Sequence, residues 1–339
     1  MRIKSIIFTL LVLTSGKVFA VSFGDWAAAQ NLTGSETLID ARNGYISSLD
    51  GLAYNYNYLT TIYLAKNKIT DIQTGDFAGL YRLDHLDIRR NQITSIEAGD
   101  FQGLSNLRTL HIDNNRLTSI DADDFEGLNR LTWLYLIENQ ITNIEDYAFS
   151  GMDNVGVISL NKNPISTLNL TGADFSRLWL FDLRECPVEQ VILNQAVLKQ
   201  QSLDVLMTGW VNNSSSYVGI ADISGVAEID FQGTSFAQIN DLTSMYTLDD
   251  LQWLNLAGTS GLAGRMIVSL TSQLESLNYL NVTGIWDTWD SAIQTELSNW
   301  DSLDGNTLVV PEPATLLLLG FGGIITKKRI AGKYEQKTL

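Results

Sequence analysis

Apolar positions along most of this chain fall on one frame that restarts every 24 residues from Leu59, at Leu83, Leu107, Leu131 and Val155. A complete copy reads Leu107-x-x-Leu110-x-Ile112-x-x-Asn115-x-Leu117-x-x-Ile120, followed by Phe125 and Leu128. The alternation of Leu110 and Ile112 is that of a short strand with both side chains on one face. Asn115 then turns the chain away. Its amide can bond backbone groups of its own turn and of the next copy, groups that the bend would otherwise bury unpaired. No single copy can cover its own apolar face, so a period of this length predicts a stack of coils sharing one core and one parallel sheet. Asn67, Asn91, Asn115, Asn139 and Asn163 hold the asparagine rung, and Phe77, Phe101, Phe125 and Phe149 predict an aromatic spine on the opposite side.

Beyond Val155 the frame loosens. Leu178, Leu203, Val226, Leu251 and Leu277 open further units at spacings of 23, 25, 23, 25 and 26. Cys186, Val211, Thr234, Thr259 and Ile285 stand at the rung. The segment from Met266 to Leu277 carries Ile267, Leu270, Leu274 and Leu277 at helical spacing. About ten repeats are therefore expected over 59–285, the first five with extended far sides and the rest with short helices. Residues 21–58, with Ile39, Ile46, Leu49 and Leu52 out of strict frame, predict an N-terminal cap. Over 286–307, Trp289, Ile293, Leu297 and Trp300 lie on one helical face and predict a capping helix, with Asp301–Thr307 as a polar linker.

This frame resembles that of the leucine-rich repeat family. The resemblance implies an α/β repeat fold: a curved solenoid with a parallel β-sheet on the concave face and an extended or 3-10, then short-helical, convex side. The reading this supports is action by binding, and the alternative is a passive structural component of an extracellular matrix without a defined ligand.

The two ends read as addresses. Arg2 and Lys4, an apolar stretch from Ile6 to Leu13, and Val18-Phe19-Ala20 form the pattern of a signal peptide over 1–20. At the other end, Pro311-Glu312-Pro313 precedes an apolar and glycine run from Leu316 to Thr326, then Lys327-Lys328-Arg329. Such a run is shorter than the ~20 residues of a stable span, so it suits a transient anchor with a cytoplasmic positive cluster. Residues 308–339 closely resemble the PEP-CTERM sorting signal. That resemblance implies processing by an exosortase, a transient inner-membrane anchor, and a destination at the outer surface or outside the cell, in a biofilm or exopolysaccharide setting. The tail from Ile330 to Leu339 is longer than the pattern usually carries.

Charge narrows the partners. The formal charge is −16, and without the three basic residues of the first twenty and the net four positive charges from Lys327 onward the body stands at −23. Such a surface repels nucleic acid and anionic lipid. Cys186 is the only cysteine, so no internal disulfide closes the ends, and its place in the frame predicts a buried thiol.

Outward positions of neighbouring strands, about 4.8 Å apart, form rows across the sheet. Tyr63, His85, Asp87, His111, Trp133 and Tyr135 fall together there, with Asp87 beside His111 and a tyrosine on either side. Three readings are open for this cluster: a solvated face without a ligand, a protein- or glycan-binding patch, or a metal or hydrolytic site built from His85, Asp87 and His111. Flat strands offer no pocket that excludes water, which disfavours the third. No phosphate loop, zinc-protease helix or nucleophile elbow occurs, and no cofactor or resident metal is expected.

Overall fold

Each regular copy of the frame contributes one three-residue strand, and the strands pair in strict register. A computed structural model describes residues 21–310, apart from Tyr54, most of 200–225, part of 238–249, and 304–305. The expected signal peptide and Pro311-Glu312-Pro313 with its apolar run lie outside the described residues.

Seven parallel strands form the first sheet, from Leu38–Asp40 through Thr61–Tyr63, His85–Asp87, Thr109–His111, Trp133–Tyr135 and Val157–Ser159 to Leu180–Asp182. Their central residues Ile39, Ile62, Leu86, Leu110, Leu134, Ile158 and Phe181 are matched across the pairs and buried. The sheet thus starts one coil earlier than the frame predicts, inside the cap. There the helix Phe23–Gln30, capped by Ser22, closes the core with Phe23 and Trp26.

Behind the sheet runs the asparagine ladder. Asn115 donates through Nδ2 to the carbonyls of Ile88 at 3.1 Å and Ile112 at 3.0 Å, and its Oδ1 accepts from the amide of Ile93 at 3.1 Å. Asn67, Asn91, Asn139 and Asn163 repeat the pattern one coil apart. The residues just before the rungs, Lys66, Arg90, Asn114, Glu138 and Lys162, adopt φ of 53–60°. That left-handed step costs side-chain-bearing residues about 1 kcal/mol each, which the buried rung bonds offset. On the far side Phe77, Phe101, Phe125 and Phe149 stack at 6.1–6.4 Å, and Phe175 extends the file. Alongside it, Asp76, Asp100 and Asp124 each accept an amide from three residues back. Burial pushes all three carboxyls up, Asp124 to about 7.

After Asp182 the phase of the coil changes. A second sheet of six parallel strands begins at Thr167–Asn169, in the later part of the coil that opens at Val155, and continues through Gln190–Ile192, Glu228–Asp230, Trp253–Asn255 and Tyr279–Asn281 to Thr307–Val309. The unit expected to open with a strand at Leu203 does not do so. Leu203 and Leu206 are helical and buried, and Gln190–Ile192 pairs directly with Glu228–Asp230 in that unit's place. The units opening at Val226, Leu251 and Leu277 have their strands where the frame puts them. Cys186 and Thr234 act as rungs, donating to the carbonyls of Leu160 and Leu193, and the Cys186 thiol is buried. Ile285 makes no such side-chain bond and is simply packed in the core. Val211 lies outside the described residues.

The helix Gly264–Gln273 buries Ile267 and Leu270, as the helical spacing predicts. The final helix, Ser291–Asp301, buries Ile293, Leu297 and Trp300. The expected linker is in part structure: Thr307–Val309 adds a last strand beside Tyr279–Asn281, and Asp301 accepts the amide of Leu308. Among the described residues no helix is long and apolar enough to cross a membrane.

Candidate functional site: the open face of the first sheet

The outward residues of the 61–63 to 133–135 strands build one file of rings. Register places Tyr63, Asp87, His111 and Tyr135 in one row, and Thr61, His85, Thr109 and Trp133 in the next. The rings lean across the two rows. Tyr63 meets His85 edge-on with centroids 5.4 Å apart. His85 and His111 are also 5.4 Å apart. His111 and Tyr135 stack at 4.3 Å with an interplanar angle of 4°. At the N-terminal end, the Arg42 guanidinium sits over Tyr63, 5.2 Å from the ring centre. Such cation–π contacts hold both groups in place.

All five rings of the candidate set are half-buried, so they are ordered by neighbours yet reachable. Burial pushes the His85 imidazole below its ordinary range, and the adjoining His111 adds to this. His111 Nδ1 faces Asp113 Oδ2 at 3.2 Å, and Asp113 Oδ1 accepts the Ile137 amide of the next coil. The file ends after Tyr135. The next outward residues, Val157 and Ser159, are buried, and Ser159 bonds Asp182.

Residues 42–93, 57–117 and 82–141 match the family model described as leucine rich repeat, in three overlapping frames. These cover the strands from Thr61–Tyr63 to Trp133–Tyr135, which carry the ring file. The chain carries leucine-rich repeats. Solved structures similar to it include a chain of the LRIM1/APL1C complex, at 18% identity and a TM-score of 0.43, covering 79% of this chain and 47% of that one. The leucine-rich repeat domain of APL1B is 16% identical at a TM-score of 0.41, covering 86% of this chain and 100% of that one. An internalin, inlF, from Listeria monocytogenes is 16% identical at 0.35, covering 91% and 90%. The repeat protein thus spans about half of the first of these chains. No curated protein matches it.

Within the leucine-rich repeats, one member of the candidate set departs from expectation. Asp87 is in the outward row but 0% exposed. Its carboxylate is turned to Arg89, accepting from the backbone amide at 3.2 Å and from Nε at 3.1 Å. Arg89 folds over it and takes its place at the surface, so Asp87 positions Arg89 and cannot itself meet a ligand. This also separates it from the histidines as a ligand set. No group of three or more metal-binding side chains occurs among the described residues.

Arg42 and Arg89 were not anticipated by the frame. The signal was present: Asp40-Ala41-Arg42, Asp87-Ile88-Arg89 and Asp182-Leu183-Arg184 repeat one Asp-x-Arg pattern at the strand ends, each with its ion pair formed. Along that edge, Arg42, Lys66, Arg89 and Arg90 line a groove of about 740 Å³ together with Asp40, Asp113 and Glu138. A rim of mixed charge, with Arg42 and Arg89 each paired to an aspartate, therefore borders the ring file.

Proposed function

We propose that this leucine-rich-repeat array is a non-enzymatic recognition module. In this reading it binds a protein partner through the ring file Tyr63, His85, His111, Trp133 and Tyr135, with Arg42 and Arg89 at the rim. One observation carries the reading: four half-buried rings, Tyr63, His85, His111 and Tyr135, touch in succession along the outward strand face, with half-buried Trp133 on the same strand as Tyr135. Aromatic and arginine side chains give large contact area at low entropic cost and dominate binding hot spots. A protein partner suits this face better than a sugar. His111 and Tyr135 lie face to face, so their flat surfaces cover each other and mainly their edges meet solvent. Edges pack against side chains; sugar rings need open faces.

Replacing Trp133 and Tyr135 together by alanine should abolish capture of the partner in pull-down while leaving the melting temperature within a few degrees. Both rings stand outside the leucine core, so the core loses nothing. Undiminished capture by the double variant would move the site elsewhere.

The proposal extends to place. The N-terminal basic-then-apolar segment and the Pro311-Glu312-Pro313 tail support export and exosortase-dependent sorting to the outer surface or the surrounding matrix. Alanine at all three of these positions should remove the protein from the surface fraction of cells. Unchanged fractionation would argue against that route.

A further inference from the structure

We propose that the opposite edge of the first sheet, at the N-terminal ends of its strands, holds a second binding site, for an acidic polysaccharide. Arg130 Nη1 donates to Asn106 Oδ1 at 2.7 Å, and Arg177 Nη1 to Asn154 Oδ1 at 2.6 Å. Each asparagine is itself anchored, donating to the backbone carbonyl of Tyr81 or Asn129. The two guanidinium groups are thus aimed by neutral oxygens. Among the described residues neither has a carboxylate within ion-pair distance, unlike Arg42, Arg89, Arg184 and Arg265. Leaving two oriented cations without a counter-charge, in a chain with a formal charge of −16, is a surplus that an anion would complete.

An exposed indole completes the site. Trp179 is 46% exposed and lies across Gly156, where a Cβ would come within 2.4 Å of Nε1. Only glycine leaves room for that ring. Together with Arg108, these side chains line a notch of about 440 Å³. Arg108 faces Asp84 at 3.5 Å, with both side chains more than half exposed, so this pair is loose.

The occupant follows from spacing and from the backbone. Arg130 and Arg177 belong to coils with one coil between them, so their backbones stand about two strand spacings apart, roughly 9.6 Å. A polymer with carboxylates at about that interval could engage both forks while a pyranose face rests on Trp179. An extended peptide could not add itself as a strand here. The amides of Gly156, Val157, Trp179 and Leu180 are already bonded to Thr132 and Gly156 carbonyls of the preceding coils. Carboxylates and hydroxyls must therefore do the binding, which a polyuronate supplies along its whole length.

The test is titration of the purified full chain with oligogalacturonate at low salt. Expected is binding that weakens steeply with added salt. The double substitution Arg130→Gln and Arg177→Gln should weaken it by roughly tenfold or more, because charge-assisted Arg–carboxylate bonds are among the strongest polar contacts. Gly156→Ser, which evicts the indole without changing charge, should also weaken it, with circular dichroism confirming the fold of every variant. Neutral dextran should not bind. Failure of oligogalacturonate to bind, or equal affinity in the arginine double variant, would overturn the site. Equal binding of poly-glutamate would overturn the polysaccharide assignment.

Discussion

Phe101→Ala should lower the free energy of unfolding by about 3–5 kcal/mol, the range for deleting a fully buried aromatic ring. Phe101 is 1% exposed and lies between Phe77 at 6.1 Å and Phe125 at 6.3 Å, with nearly parallel planes. Its loss opens a void that neither neighbour can fill, because Phe125 is held by Phe149 and Phe77 is itself fully buried in the core. In a stacked array, stability is close to a sum of coil and interface terms, and this substitution damages two interfaces at once. The single cysteine forms no cross-link that could hold the halves together. Urea denaturation followed by far-UV circular dichroism measures the effect. A loss below about 1 kcal/mol would mean that the spine is loosely packed. A split into two transitions would locate the weakened interface at this coil.

The second large effect is expected at the ladder. In Asn115→Ala the amide of Ile93 loses its acceptor, while the carbonyls of Ile88 and Ile112 each lose one donor and keep another, from Asn91 and Asn139. The buried amide left unpaired costs about 1–3 kcal/mol, and each of the two lost donations about 1 kcal/mol more. Water entering the space vacated by the amide can satisfy part of this, so the net loss should fall near 3 kcal/mol. Asn115→Thr should lie between wild type and alanine. A rung hydroxyl can still donate one bond, as Thr259 does to the Leu256 carbonyl at 2.9 Å. Equal stability of all three proteins in the same denaturation experiment would mean that the rung is solvated and contributes little.

Both predictions concern features that recur at fixed positions, and such features were legible in advance. Strand parity placed Leu110 and Ile112 inside and His111 outside, and the 24-residue period placed His111 next to Asp87 and Tyr135. Parity gives a direction, however, and not an exposure. Asp87 points outward and is nonetheless covered, because Arg89, two residues on, folds back to pair with it. Arg130, Arg177 and Trp179 flank their strands, where alternation no longer fixes which way a side chain turns. Only the anchoring of Asn106 and Asn154, and the space above Gly156, settle their positions.

The sequence by itself determined the coil, its rung and its spine, because a repeated pattern of inward leucines has one way to bury them: against another copy of itself. Tertiary structure alone decided where the phase changes. Leu203 and Leu206, three residues apart, fit a helix as well as the strand frame, and a short apolar run carries no further local preference. What resolved it was a pairing across 38 residues, Val191 with Ile229, which fills the sheet position that a strand at Leu203 would have taken. Hydrogen bonds between distant strands exist only once the coils are stacked, so no local pattern could have announced them.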